Sequence, residues 1–247
     1  MLRQPSKFNT LLTDPVGVLA RRARWLGQVL RYRLLRGYRS RAYWTHRLGR
    51  HGLGLRGVGC DSLSDEENRR MYEQARTQFL ELCRDEVVEL PAARVLDVGC
   101  GTGFYAGILA EAGCRQYVGV DITDALFGEL RQRFQGFTFR RLDVTETGAA
   151  AQDLAGPFDL ILMIDVTQHI TEPARFSAAM QAIRRNLAEG GVFIVTSWLD
   201  AAARHSFFEV SRDLTAYKNE FPGYRFSAPR PFRDKFIFAI RPQTSER

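Results

Sequence analysis

Val95-Leu96-Asp97-Val98-Gly99-Cys100-Gly101-Thr102-Gly103 reads as a short apolar strand that breaks into a glycine-rich turn. Glycines at alternate positions let the backbone enter positive-φ geometry and let a ligand approach with no Cβ in the way. A dinucleotide-binding GxGxxG turn uses glycine in much the same manner, so the glycines alone do not choose a ligand. Asp97 tips the choice. A carboxylate two residues before the first glycine is poorly suited to a pyrophosphate and well suited to a ligand that carries an ammonium and a sulfonium.

Outward from this stretch, the chain after Pro91 alternates strand-like and helix-like segments. The strands are expected at Arg94 to Val98, Gln116 to Asp121, Thr138 to Leu142, Phe158 to Ile164, Gly191 to Ser197 and Lys235 to Ile240. Helices are expected around Tyr105 to Ala112, Ala125 to Phe134 and Arg175 to Leu187. Such alternation implies a largely parallel sheet with helices on both faces. Ligands of such sheets sit at the carboxyl ends of the strands. Upstream, Ser64 with Glu67 three residues later has the capping-box pattern that starts a helix, expected from about Ser64 to Leu90. The glycines at 49, 52, 54, 57 and 59 predict a loop before it.

The stretch from 95 to 103 resembles the first motif of class I S-adenosylmethionine (SAM)-dependent methyltransferases, (V/I)LD(I/V/L)GCGxG, without a gap. The resemblance covers about residues 94 to 197. It implies an α/β, Rossmann-like doubly wound sheet, mostly parallel with an antiparallel C-terminal strand, plus a helical N-terminal extension. The domain plan that follows is a basic extension over 1–60 and a methyltransferase domain over 61–247, with its SAM-binding core at 94–197.

The same resemblance implies the cofactor site. The loop of Gly99, Cys100, Gly101 and Gly103 holds the methionine and ribose portion of SAM, with Asp97 near the methionine amino group. Asp121 closes the second strand 24 residues after Asp97, where an acid can accept both ribose hydroxyls. Ile122 would pack on the adenine face. Asp143 would accept from the adenine amino group or cap the following helix, and Val144 would offer its backbone N–H to the ring. After the fourth strand, Asp165 and Gln168 are candidates for the methionine portion. His169 is the candidate general base, because an imidazole pKa is tunable near neutrality; the competing reading is a histidine that packs or orients its loop.

The acceptor pocket is less legible. By family analogy it is roofed by the N-terminal extension, with Tyr43, Trp44 and Tyr72 as candidate aromatics. His205, Arg212 and Tyr217 follow the fifth strand, in a segment that loosely resembles bacterial small-molecule and sugar O-methyltransferases. Alignment of an acceptor lone pair behind the methyl carbon is the main catalytic need and is worth about 7 to 11 kcal/mol. No metal is required, and no metal-ligand spacing is seen.

Charge separates the two regions. Residues 1 to 60 hold 13 Lys and Arg against Asp14 alone, a balance of +12, whereas the remainder carries −5. Between Val16 and Leu35, Leu19, Ala23, Leu26, Leu30 and Leu34 recur at helical spacing, with Arg21, Arg22, Arg24, Arg31 and Arg36 largely off that face. The segment reads either as a helix packed on the main domain or as a basic amphipathic helix that meets an anionic membrane or acidic partner. No apolar run approaches the roughly 18 residues of a membrane span. Cys60, Cys83, Cys100 and Cys114 read as reduced thiols of an intracellular protein. With no secretory signal pattern, a cytoplasmic location is expected, with membrane association through the basic helix left open.

The leading expectation is therefore a SAM-dependent methyltransferase acting on an oxygen of a small-molecule acceptor, in secondary metabolism or on a glycan or lipid precursor. Asp165-Val166-Thr167-Gln168 replaces the NPPY-like tetrapeptide of amino-methylating nucleic-acid enzymes, which argues against nucleic acid as partner. The alternatives are a protein or RNA acceptor, a non-catalytic SAM-binding protein and, disfavoured by Asp97, an NAD-dependent dehydrogenase.

Overall fold

Strand β1 (Arg94–Val98) lies inside an eight-stranded sheet, in a computed structural model that describes residues 26–27, 38–60, 63–148, 154–201, 203 and 205–243. Contacts divide the chain into units 1–39 and 40–247, and the sheet belongs to the second. The basic helix expected over Val16 to Leu35 lies outside the described residues, apart from a helical Leu26 and Gly27.

The described elements begin with α1 (Ser40–His51), a short 3-10 turn (Leu55–Gly57) and α2 (Asp65–Asp85). After β1 come α3 (Phe104–Glu111), β2 (Gln116–Asp121), α4 (Phe127–Arg133), β3 (Thr138–Arg141) and β4 (Phe158–Met163). A 3-10 turn (Thr167–His169), α5 (Pro173–Asn186), β5 (Leu187–Ser197) and α6 (Leu214–Glu220) follow. The chain ends in β6 (Tyr224–Phe226), β7 (Arg230–Phe232) and β8 (Lys235–Pro242).

Sheet order is β3-β2-β1-β4-β5-β8-β6, with β7 also paired to β8. Strands β1 to β5 are parallel, and β8 runs antiparallel to β5. This is the expected doubly wound sheet with its antiparallel C-terminal strand. Order reverses between β1 and β4, so the crevice for a ligand opens at their carboxyl ends.

Strand alternation explains why both faces are covered. Val95 of β1 and Leu160 and Leu162 of β4 pack with Phe79, Leu109 and Leu130 from α2, α3 and α4. Leu96, Ile161 and Met163 point the other way, onto Phe176, Met180, Ile183 and Tyr217 of α5 and α6. The Ser64 capping box is present, with Glu67 N donating to Ser64 Oγ and Ser64 N to Glu67 Oε2.

Several elements differ from expectation: α2 ends at Asp85 rather than near Leu90, and β5 begins at Leu187 rather than Gly191. Helix α1 extends through Gly49, which the glycine spacing assigned to a loop. Its exposed flank tolerates a glycine because Tyr43 and Leu48 supply the buried side. The C-terminal region holds α6, β6 and β7 as well as β8, too short to leave a periodic signal of their own.

Candidate functional site

At the end of β1 the chain turns through Gly99, Gly101 and Gly103 at φ +77, +51 and +74°, a region that favours glycine. A Cβ on Gly99 would meet Val166 Cγ2 at 2.4 Å, and one on Gly101 would meet Val58 Cγ1 at 2.7 Å. The cradle is therefore closed around by the segment after β4 and by the connection from α1 to α2. Cys100 is buried within it, and its N–H, like that of Gly99, donates to the Val120 carbonyl of the neighbouring strand.

Two carboxylates face this cradle. Asp97 is 2% exposed and accepts from Tyr117 Oη at 2.7 Å. Burial holds its pKa up at about 7, against the pull of the Tyr117 hydrogen bond. Asp121 accepts from Gly101 N and Thr123 N, each at 3.1 Å. Burial raises its pKa to about 6 in spite of those donors. Among the described residues neither acid pairs with a basic side chain. Thr102 Oγ1, Tyr105 Oη and Gln168 Oε1 are buried without a hydrogen-bond partner among the described residues. Orphaned polar atoms and two buried acids lacking a counter-ion are costly unless a polar, cationic ligand completes them. A sulfonium nucleoside with an ammonium group meets that requirement, so the residues present fit SAM.

The adenine-side candidates sit together at the ends of β2 and β3. Ile122 is half-buried and Val144 buried. Asp143 has both oxygens engaged: Oδ2 by Arg175 at 2.6 Å, Oδ1 by Thr145 N at 3.0 Å and by the Thr145 hydroxyl at 2.5 Å. It ties the loop after β3 to α5.

Helix α1 crosses the carboxyl ends of the strands. Thr45 Oγ1 donates to Thr123 Oγ1 at 2.8 Å, and the Tyr43 ring lies tilted against Phe208 with centroids 5.0 Å apart. The Trp44 ring stands edge-on to His169 at 4.8 Å, and the Phe208 ring stacks parallel to the imidazole at 5.4 Å. His169 Nδ1 is 3.1 Å from the Phe208 carbonyl, which can only accept. The proton therefore sits on Nδ1, and Nε2 carries the free lone pair. Burial, with Lys235 and Arg47 nearby, lowers the His169 pKa to about 3. The imidazole is uncharged at any physiological pH.

The acceptor-side candidates divide. Tyr43, Trp44 and Tyr72 cluster near the strand ends, Tyr72 buried edge-on against Phe104 at 4.7 Å. His205 is exposed, 3.9 Å from Asp200 and against Trp198. Tyr217 is fully buried, its hydroxyl 2.8 Å from Thr167 Oγ1. Arg212 is buried, donating from Nη1 to the Thr167 carbonyl at 2.8 Å and from Nη2 to the Ile170 carbonyl, over the Phe176 ring at 4.1 Å. It clamps the turn that presents His169. Arg212→Ala is expected to lower unfolding free energy by about 2 kcal/mol through two orphaned carbonyls and a lost cation–π contact. Urea denaturation checks this, and undiminished stability would return Arg212 to the acceptor side.

Three groups at the site were not anticipated from sequence. Arg47 fastens the covering loop by donating to the Gly57 carbonyl at 2.8 Å and the Gly59 carbonyl at 2.9 Å. Arg233 and Lys235 converge on Asp165, Lys235 Nζ at 3.3 Å from Oδ1. In sequence Arg233-Asp234-Lys235 reads as an ordinary charged turn, and only the short β7 and β8 pairing turns it inward.

Comparison with known proteins gives a family model described as a methyltransferase domain, matched over residues 66–230. Among curated proteins the chain is 29% identical over 136 residues to a cyclopropane-fatty-acyl-phospholipid synthase of Escherichia coli (strain K12), covering 55% of this chain and 33% of that protein. It is 30% identical over 117 residues to a ubiquinone biosynthesis O-methyltransferase of Dechloromonas aromatica (strain RCB), covering 45% of this chain and 47% of the relative. The matches thus span a third to about half of these relatives. Among solved structures, the SAM-bound magnesium protoporphyrin IX methyltransferase of Synechocystis PCC 6803 superposes with a TM-score of 0.60 at 19% identity, covering 83% of this chain and 99% of that one. At that identity the likeness is one of fold.

Proposed function

Because the chain belongs to the SAM-dependent methyltransferase family, we propose that it methylates an oxygen of a small-molecule acceptor bound between α1, the turn after β4 and the segment after β5. The observation that carries this reading is the His169 niche: a neutral imidazole with an available Nε2 lone pair, walled by the Trp44 and Phe208 rings. The partial likeness to a ubiquinone biosynthesis O-methyltransferase supports the choice of oxygen.

When bound, SAM supplies a methyl carbon made electrophilic by its positive sulfur. Asp97 receives the cofactor's ammonium, and Asp121 its ribose hydroxyls. The Gly99, Gly101 and Gly103 backbone admits its chain, with Gln168 on the methionine side; the Asp165 carboxylate, a sequence candidate for the same contact, is taken instead by Arg233 and Lys235. Ile122 and the Val144 N–H meet the adenine, and Asp143 keeps that loop in place through Arg175. The α1 roof excludes water, which strengthens each of these interactions.

His169 then acts on the acceptor. With a pKa of about 3 it is too weak a base to deprotonate an alcohol in advance. It accepts a hydrogen bond from the hydroxyl and aims the oxygen lone pair. Once the methyl group had passed from sulfur to oxygen, with the C–S electron pair returning to sulfur, the O–H would be strongly acidic, and even this imidazole would take its proton.

His169→Ala is expected to lower kcat about 100-fold, within the usual range for general acid–base groups, with little change in SAM affinity by calorimetry. The activity assay uses a panel of phenols, alcohols, amines and thiols. Turnover confined to amines or thiols would refute the oxygen assignment. Equal kcat in the variant would reduce His169 to packing.

A further inference from the structure

The turn joining β7 to β8 brings two cations into the protein. Arg233 keeps 6% and Lys235 9% of side-chain surface exposed. Burying a cation is costly unless counter-charge meets it. Among the described residues one inner carboxylate, Asp165, faces both: it pairs with Arg233 and stands 3.3 Å from Lys235 Nζ. Asp234, 3.0 Å from Lys235 Nζ, is 52% exposed, and its other oxygen accepts from Trp198 Nε1 at 3.0 Å. Glu209, also in the field of Lys235, is committed to the Ser206 hydroxyl at 3.0 Å.

Lys235 is thus met by both Asp234 and Asp165, while Arg233 has Asp165 alone within ion-pair distance among the described residues. In addition, Arg233 Nε is buried with no hydrogen-bond acceptor among the described residues. A guanidinium edge with a spare donor is the usual fork for a carboxylate or phosphate. Asp165 itself holds φ +60°, an unfavourable conformation for a residue with a Cβ, and in it reaches both cations.

The surroundings indicate what carries the anion. Aromatic rings cover both cations: Tyr72 lies 5.1 Å and Phe232 4.9 Å from the guanidinium, and Trp198 lies 4.6 Å from the ammonium. Asp165 lies two residues past the end of β4 and precedes His169 by four residues, and the charge of Lys235 acts on that imidazole. The cations therefore stand beside the proposed acceptor niche.

We infer that Arg233 and Lys235 form an anion subsite that binds a carboxylate or phosphate group of the methyl acceptor, with a flat apolar body lying against Trp198. The inference rests on the proposed small-molecule reading of the site, and it narrows the acceptor to an anionic one. Asp165 acts as the hairpin's internal counter-ion.

The test titrates benzoate, phenyl phosphate and the neutral benzamide into the full chain by calorimetry, both free and saturated with S-adenosylhomocysteine. At least one anion should bind tenfold or more tightly than benzamide; a benzoate preference assigns a carboxylate, and a phenyl phosphate preference a phosphate. Arg233→Gln and Lys235→Met should each remove tenfold or more of that affinity, and Arg233→Lys should restore part of it. S-adenosylhomocysteine binding, measured separately, shows that each variant is folded. Equal affinity for benzamide and both anions in the wild-type protein would overturn the inference, as would folded variants with unchanged anion affinity. Failure of the wild-type protein to bind S-adenosylhomocysteine would sink the methyltransferase site instead, while the titration of the free protein still decides the hairpin.

Discussion

Gly101→Arg is expected to leave the protein folded and to weaken SAM binding by at least about 100-fold, or roughly 2.7 kcal/mol. Gly101 sits at φ +51°, and its Cβ position lies 2.7 Å from Val58 Cγ1. Strain of about 1–3 kcal/mol accompanies a side chain in that region, and Val58 must shift. Its loop is held by Arg47 and by Asn68, whose amide donates to the carbonyls of Cys60 and Ser64 at 3.0 Å each. The new guanidinium would enter a space bordered by Asp97 and Asp121, two acids without a basic partner among the described residues. It would provide the positive charge that the cofactor otherwise brings. Part of the strain is thereby offset, while the cofactor's place is filled. Gly101→Ala, with strain but no charge, should lose affinity to a smaller degree. Calorimetry reads the affinities, and thermal unfolding shows that the fold survives. Retained SAM affinity in the arginine variant would remove the glycine turn from the site.

Legibility tracked how local each signal is. Strands β1 and β2 match their expected bounds because a buried parallel strand shows itself as an apolar run closed by Asp or Gly. The capping box at Ser64 was equally plain, since both partners lie within four residues. The acids at the strand ends could be found because topology sends every parallel strand's carboxyl end to one crevice. Arg233 and Lys235 could not, since their inward direction depends on pairing with β7 and on Asp165, 68 residues earlier for Arg233. Arg212 shows the reverse case. A polar residue in the right stretch looked like a pocket group, yet the bare carbonyls of a 3-10 turn use its donors. Helix α1 was masked by its glycine, because its burial against the strand ends comes from tertiary contacts rather than from periodicity.

SAM affinity is expected to fall as pH drops below about 7, by up to about tenfold per unit. The reason lies at Asp97. Burial raises its pKa to about 7 in the ligand-free protein, from an ordinary carboxylate value of 3.8. A cationic ligand needs the carboxylate, so below that pH binding must first expel a proton. Asp121, raised to about 6, steepens the fall at lower pH. Stability carries the opposite sign. The folded protein holds the Asp97 proton over a range in which the unfolded chain has released it. The free protein is thus most stabilised by this group below about pH 4, and loses that contribution as pH climbs toward 7. Ligand binding then returns the counter-charge. The rise in Tm produced by saturating SAM should consequently be larger at pH 8 than at pH 5.5. Calorimetry in two buffers of different ionisation heat should detect proton release near pH 6 and little near pH 8. Asp97→Asn keeps the size of the side chain and an oxygen for Tyr117 Oη, but removes the charge. It should bind SAM about 10- to 100-fold more weakly at pH 8, as expected for a lost hydrogen bond to a charged group, and flatten the profile above pH 6. A variant profile that still bends at pH 7 would assign the titration to another group and leave Asp97 without a part in holding the cofactor.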